Sequence, residues 1–276
     1  MDGFERIIYF LQGEMTEPKQ FGWYHIMWLM LVILGIVILY ERKKYYSEKQ
    51  LKIVLGIYGV VALTFEILKQ ISWSFNYDSV TNTVLWDYQW YAFPFQLCTT
   101  PIYVSLICLF LKNAKIRDYL LSYMAYVTIL GSLATMIMPD SCLTTDILVN
   151  IHTMWLHFGS FVVSIYLLMT GTVKINFTSL KKSLLIFIIF LIIANSMNII
   201  IYNLGVLNGE TFNMFYISPY FISELPIFNI IWEYVPYIIF LLIYILAIVI
   251  GAIIIYEISY YFQKICSINN KRSYEK

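Results

Sequence analysis

The sequence predicts an all-α membrane protein with seven transmembrane helices, its N-terminus outside and its C-terminus in the cytoplasm. Composition predicts the class, because 60% of the 276 residues are hydrophobic and 13% are charged, roughly half the charged fraction of a soluble domain. The distribution of Lys and Arg among the loops predicts the orientation. The formal net charge of +1 gives no general attraction to nucleic acid, so we expect no nucleic-acid partner.

Apolar runs of about 20 residues, the length that crosses a bilayer, recur along the chain. Residues 1–22 lack the pattern of a cleavable secretory signal, and we expect an interfacial segment there, with a frayed terminus as the alternative. Residues 23–262 then form one seven-helix transmembrane domain, and residues 263–276 form a cytoplasmic tail. Pro236 is expected to start or kink the last helix. The predicted helices lie at 23–40, 52–73, 94–112, 117–138, 151–172, 182–204 and 234–262.

Lys and Arg alternate strictly between the loops. Most of these cations follow predicted helices 1, 3, 5 and 7, whereas the loops at 74–93, 139–150 and 205–233 contain none. Short cytoplasmic loops are enriched in Lys and Arg, so the alternation predicts an odd number of crossings in a cell membrane. Frequent Ile, Asn, Lys and Tyr indicate an AT-rich bacterial genome, and therefore a bacterial plasma membrane.

Polar side chains that are unusual inside a membrane gather toward the predicted outer side. They come from several predicted helices, so we expect them to line one outward-facing polar cavity. These candidates are His25 in helix 1, Glu66, Lys69 and Gln70 in helix 2, Cys98 in helix 3, His152 and His157 in helix 5, and Asn195 and Asn198 in helix 6.

Cys98 lies between Pro94 and Pro101 in the segment FPFQLCTTP. A thiol is the best candidate nucleophile among these residues because it is partly ionised near neutral pH. Two other roles remain open, an ordinary packing residue and a disulfide with Cys142. The four cysteines show no CxxC spacing, so we expect neither a metal site nor a cofactor.

Helical phase separates the two histidines of predicted helix 5. His157 shares a polar face with Ser160, whereas His152 aligns with Leu156. The pattern favours His157 as the interior general base, although a histidine that packs between helices is an equal alternative. His152 is the other candidate base, and it and His25 also fit supporting or interfacial roles.

Glu66 and Lys69 are three residues apart on one helix and can neutralise each other. A charge at mid-bilayer costs at least about 2.5–3.5 kcal/mol, so a structural ion pair is the simpler interpretation. Binding of a lipid headgroup by these residues and Gln70 is the functional alternative. Asn195 and Asn198 fit hydrogen bonds between helices, or substrate binding in the same cavity.

Several segments together resemble a known family, namely GWYH, the charged helix 2, FPFQLC, HTMWLH and FYISPY. Over nearly the whole chain they are similar to the YwaF-like bacterial integral membrane proteins, related to eukaryotic transmembrane protein 164. The resemblance implies a phospholipid acyltransferase with Cys98 as nucleophile and His157 or His152 as base. Gln96 stands where bacterial members often have a second histidine, a departure that argues against a metal site.

The leading hypothesis is therefore a membrane-embedded acyltransferase that acts on phospholipid or lysophospholipid through a Cys98 thioester. The alternative is a transporter, or a membrane protein that binds a small ligand or lipid in the same cavity without covalent chemistry. A structural partner subunit is a third possibility. Membrane lipids are the expected partners, and the sequence identifies no protein partner. Chemistry requires the thiol of Cys98, whereas binding alone tolerates alanine at that position.

Overall fold

The computed structural model describes residues 2–78, 80–139 and 142–274, with side chains as far as residue 265. Six helices in these ranges are long and apolar enough to cross a membrane, which indicates a multi-pass membrane protein. The helices are α1 Gly3–Leu11, α2 Trp23–Arg42, α3 Glu48–Trp73, α4 Thr100–Phe110, α5 Ala114–Tyr123, α6 Ile129–Ile137, α7 Ile147–Met169, α8 Phe177–Asn203, α9 Phe228–Tyr234 and α10 Tyr237–Tyr274. As predicted, the last long helix starts directly after Pro236.

A π-helical turn, Met124–Thr128, joins α5 to α6, so Ala114–Ile137 forms one membrane-length helix. The turn is completely buried. Its wider winding frees the carbonyl of Met124, which accepts hydrogen bonds from Ser164 Oγ at 2.7 Å and Thr128 Oγ1 at 2.9 Å. Hydroxyl groups therefore satisfy the backbone where water is excluded.

The helix predicted at 94–112 is shorter in the structure. α4 begins at Thr100 and has 11 residues, about 16 Å at 1.5 Å per residue, which is less than the thickness of a bilayer core. Pro101 fits the first turn of α4, where its missing N–H costs nothing, whereas in a helix that began at Pro94 it would lie in the interior and break or kink the helix. Residues 93–99 form turns instead, so the predicted boundaries were wrong and six helices have full membrane length.

A short β-hairpin was not predicted. Its strands, β1 Phe75–Asp78 and β2 Thr83–Trp86, follow directly from α3. Helix α1 packs on the hairpin, where the rings of Phe4 and Phe75 lie 5.0 Å apart. Gln12 donates from Nε2 to the carbonyl of Ser72 at 2.9 Å. Residues 3–11 are therefore a helix packed against the end of α3, and not a frayed terminus.

The cation-rich loops meet at one end of the bundle. Arg117 pairs with Glu48 there, and Lys182 pairs with Asp118. These contacts join the beginnings of α3, α5 and α8. The loops that precede these three helices therefore share one face, as the alternation of Lys and Arg along the sequence predicts.

The loops without Lys or Arg meet at the opposite end. The backbone N–H of Trp90 donates to the Glu210 carboxylate at 2.6 Å, and Trp73 Nε1 donates to Asp146 at 3.4 Å. These contacts connect the segments that follow α3, α6 and α8. The candidate site lies close to this end, because it begins in the last turns of α3.

The segment after α8 folds back into the bundle as a buried loop (residues 212–218). Phe212, Met214 and Phe215 are fully buried in it. Asn198 of α8 holds the loop: its Nδ2 donates to the carbonyl of Met214 at 3.0 Å, and its Oδ1 accepts from the N–H of Met214 at 2.7 Å. This pair of bonds satisfies backbone groups that would otherwise be buried without partners.

Candidate functional site

Glu66 is the centre of a buried group of charged and polar side chains. Its Oε1 lies 2.8 Å from Lys69 Nζ and accepts a hydrogen bond from Gln70 Nε2 at 2.9 Å. Its Oε2 lies 2.8 Å from His152 Nε2, an ion-pair distance, although the two groups are not aligned as a hydrogen bond. We call these four residues the Glu66 cluster. The side chains of Glu66 and Lys69 are only 3% and 9% exposed. Each charge is therefore stabilised mainly by the other and not by water.

Two helices position the Glu66 cluster. Glu66, Lys69 and Gln70 share one face of α3 because they are three and four residues apart. His152 lies in the second turn of α7, which begins after the N-cap Asp146, whose carboxylate accepts from the N–H of Val149 at 3.0 Å. Packing of α3 against α7 brings the imidazole to the carboxylate.

Gln70 connects the cluster to the segment that carries the candidate nucleophile. Its Nε2 also donates to the carbonyl of Ala92 at 2.6 Å, and its Oε1 accepts from the hydroxyl of Tyr88 at 3.4 Å. Ala92 directly precedes FPFQLC. The chain before Cys98 is therefore attached to the end of α3 by a side chain of the cluster.

Cys98 is a partly exposed free thiol, so it forms no disulfide. It lies within electrostatic range of Lys69 and Glu66, and also of Cys142. Within the described residues, no hydrogen bond joins its sulfur to a histidine ring. The link between the thiol and the Glu66 cluster is therefore the hydrogen bond from Gln70 to Ala92, without direct contact between sulfur and imidazole.

His157 lies on a different face of α7 from the Glu66 cluster. Its Nδ1 is 3.1 Å from Thr135 Oγ1 of α6. The contact between α7 and α3 instead uses the face of His152 and Leu156, whose carbonyl accepts from Tyr58 at 3.2 Å. Both faces of α7 are interior because the helix packs on α6 as well as on α3, so a polar stripe did not identify the face that meets α3.

His25 is also buried, but in another part of the bundle. Its Nδ1 accepts from the N–H of Phe21 at 3.1 Å, and its ring packs 6.0 Å from that of Phe158. This places His25 among apolar residues between α2 and α7. The structure does not bring it into the Glu66 cluster.

The two asparagines of α8 make contacts between elements. Asn195 accepts a hydrogen bond from the hydroxyl of Tyr237 at 2.6 Å, and Asn198 binds both backbone groups of Met214. These contacts fit the role of interhelical hydrogen bonding. The proposed contact with substrate stays a prediction for both residues.

Gln96 is a positioning residue whose contacts the sequence did not indicate. Its Nε2 donates to the carbonyl of Asn213 at 2.9 Å, and its Oε1 accepts from the N–H of Phe215 at 2.7 Å. Phe215 has a φ angle of 59°, a left-handed geometry that residues other than glycine rarely adopt. Gln96 therefore attaches the segment that carries Cys98 to the strained part of the buried loop.

No curated protein and no solved structure is significantly similar to this chain. A family model described as the TMEM164 family matches residues 20–256. The match covers most of the chain and includes Cys98 and the Glu66 cluster. The chain therefore belongs to the TMEM164 family.

Proposed function

We propose that this protein is a membrane-embedded acyltransferase that acts on phospholipid or lysophospholipid through a thioester at Cys98. The observation that carries the proposal is the free thiol of Cys98, on a segment that is hydrogen-bonded to the Glu66 cluster, in which a buried imidazole lies 2.8 Å from a carboxylate. A nucleophile and a base that is oriented by a third group form the usual arrangement for covalent acyl transfer. Membership of the TMEM164 family supports the assignment.

We infer that His152 is the base. Its Nε2 lies 2.8 Å from the Glu66 carboxylate, whose charge would orient the ring, while its Nδ1 makes no hydrogen bond to a described residue and would accept the proton. His157 lacks this arrangement because its Nδ1 is next to a hydroxyl of α6. The proposal requires sulfur and nitrogen to approach each other when substrate binds, since catalytic hydrogen bonds are often long before then.

The reaction then has two steps. His152 takes the thiol proton, and the sulfur attacks the carbonyl carbon of a phospholipid acyl ester, so that an S–C bond forms, the ester C–O bond breaks, and the leaving oxygen receives the proton. In the second step the hydroxyl of a lysophospholipid attacks the thioester and restores the thiol. Lys69 stabilises the thiolate by its charge, and with Gln70 it is placed to meet the headgroup or ester.

We propose that α4 and residues 93–99 together complete a seventh crossing of a bacterial plasma membrane, with the N-terminus outside. Non-helical backbone is tolerated at membrane depth where it is buried in protein. The cation-rich loops lie at one end of the bundle and the loops without Lys or Arg at the other, which supports an odd number of crossings. A cysteine introduced at exposed Val80 should react with a membrane-impermeant maleimide added to intact cells. Labelling of the Val80→Cys protein only after lysis would contradict this orientation.

Acyl transfer can be tested with purified full-length protein and phosphatidylcholine that carries an alkyne-tagged acyl chain. We expect a hydroxylamine-sensitive label on the protein that maps by mass spectrometry to the Cys98 peptide, and tagged phospholipid once lysophospholipid is added. Cys108, a buried free thiol in α4, is the internal control and should carry no label. Absence of label on Cys98 would leave binding without covalent chemistry as the better description.

A further inference from the structure

We propose that the buried loop (residues 212–218) shields the acyl thioester on Cys98 from water, so that the thioester reacts with a lipid hydroxyl and is not hydrolysed. Gln96 is the positioning residue that holds the loop against the segment that carries the nucleophile. The inference rests on the proposed function, because it concerns the second step of the same reaction.

The buried loop runs beside the segment that leads to the nucleophile. Phe93 packs against Phe212 with ring centroids 5.5 Å apart, and Phe95 stacks on Phe215 at 5.9 Å. The two hydrogen bonds of Gln96 to the loop follow directly after these ring contacts. The loop is therefore in contact with the segment up to two residues before the candidate nucleophile.

The loop is dry, although it belongs to a connection between two membrane helices. Connections of this kind usually run over the surface of a protein. Here Phe212, Met214, Phe215 and Ile217 are each 0% exposed, so their side chains form an apolar layer against the segment. Cys98 itself remains partly exposed, which leaves a path by which a lipid ester can reach the sulfur.

The backbone of the loop is strained where it meets the segment. Phe215 and Tyr216 have φ angles of 59° and 57°, and both are in the left-handed region that favours glycine. Such strain persists only where surrounding contacts enforce it, and it is concentrated at functional sites. Gln96 provides two of these contacts, at the N–H of Phe215 and the carbonyl of Asn213. Loss of both bonds would allow the loop to relax away from the segment.

Other polar side chains hold the loop without reaching the segment. Asn198 binds both backbone groups of Met214 from α8. Within the loop, Asn213 Oδ1 accepts from the N–H of Ser218 at 2.8 Å. Among the residues that the structure describes, Gln96 is the side chain that joins residues 212–218 to the nucleophile segment by hydrogen bonds. Its substitution therefore tests the contact between the two.

The thioester can react in two ways. In transfer, the hydroxyl oxygen of a lysophospholipid attacks the carbonyl carbon, the S–C bond breaks, and the hydroxyl proton returns to the sulfur. In hydrolysis, water attacks the same carbon, and a free fatty acid is released while the sulfur recovers a proton from water. Because water is far more abundant than any lipid hydroxyl, transfer requires that water be excluded from the thioester.

The test measures how the thioester divides between these reactions in the full-length protein. The donor is the alkyne-tagged phosphatidylcholine, and the acceptor is lysophosphatidylcholine with a deuterated headgroup. Tagged, deuterated phospholipid reports transfer, and tagged fatty acid reports hydrolysis. We expect Gln96→Met to increase the ratio of hydrolysis to transfer by about tenfold, because loss of two hydrogen bonds shifts an equilibrium by about that factor. Unfolded protein forms neither product, so a loss of stability alone leaves the ratio unchanged.

Two further variants complete the comparison. Asn198→Leu removes the bonds that hold the loop from α8, and it should increase the ratio as well. Gln89→Met is the matched control, because it is the same substitution in the same connection. The side-chain amide of Gln89 contacts Asp87 and not the loop, so the ratio should stay at the wild-type value.

Two results would overturn the inference. In the first, Gln96→Met and Asn198→Leu both divide the thioester as the wild-type protein does. In the second, the wild-type protein forms the thioester but only hydrolyses it, so that nothing shields it from water. A wild-type protein that forms no thioester would instead contradict the proposed function.

Discussion

Replacement of His152 by glutamine is expected to slow acylation of Cys98 by about 10²–10⁴-fold, the contribution of a positioned general base. The amide of glutamine can still contact Glu66 but cannot take the thiol proton. Hydroxide then has to remove the thiol proton. The acylation rate of the His152→Gln variant should therefore keep increasing with pH beyond the point at which the wild-type rate levels off. The measurement is the initial rate of labelling by the tagged phospholipid over a pH series.

His157→Gln is the matched control for this substitution. His157 is buried on the same helix, but its Nδ1 faces Thr135 on α6, so we expect at most a small loss of rate and an unchanged pH profile. A larger loss for His157→Gln than for His152→Gln would assign the base to the other face of α7. That result would also contradict the proposal that Glu66 orients the base.

Glu66→Leu is expected to destabilise the protein by about 3–5 kcal/mol, because it leaves the buried ammonium of Lys69 without its carboxylate. The double variant with Lys69→Met should recover most of this loss, since removal of both charges leaves an apolar pair of similar size. The free energy of unfolding in detergent, obtained from denaturant titrations, measures both effects.

Glu48→Leu provides the comparison for an exposed ion pair. Glu48 pairs with Arg117 at the other end of the bundle, and its side chain is 49% exposed, so solvent screening limits the expected loss to about 1 kcal/mol. Equal losses for Glu66→Leu and Glu48→Leu would mean that water reaches the Glu66 cluster. The same result would remove the argument that Glu66 holds His152 in a dry site.

Much of the fold was predictable because membrane insertion depends on local properties of the chain. Six predicted helices have full membrane length in the structure. The cation-rich loops before α3, α5 and α8 lie at one end of the bundle, as the charge pattern predicted. Residue spacing also predicted that Glu66, Lys69 and Gln70 share a face of α3. The length of α4 was missed, because hydropathy alone did not register that Pro101 fits only the first turn of a helix.

The positions of His152 and His157 illustrate what helical phase cannot decide. His152 aligns with apolar residues and His157 with polar ones, which favoured His157 as the interior histidine. In the structure both are buried, and the apolar face of His152 is the one that meets α3. Phase tells which residues of a helix share a face, but only the packing partner determines which face meets the carboxylate.

The sequence by itself determined the membrane class, the positions of the long helices and the set of polar residues among which the site lies. The first two follow from transfer free energies summed over neighbouring residues, and the third from the spacing of polar residues along the chain. Only the tertiary structure decided that Gln96 binds Asn213 and the strained Phe215, and that the N–H of Trp90 meets Glu210. Those placements depend on contacts between residues more than 100 positions apart, which no local pattern of hydropathy or charge encodes.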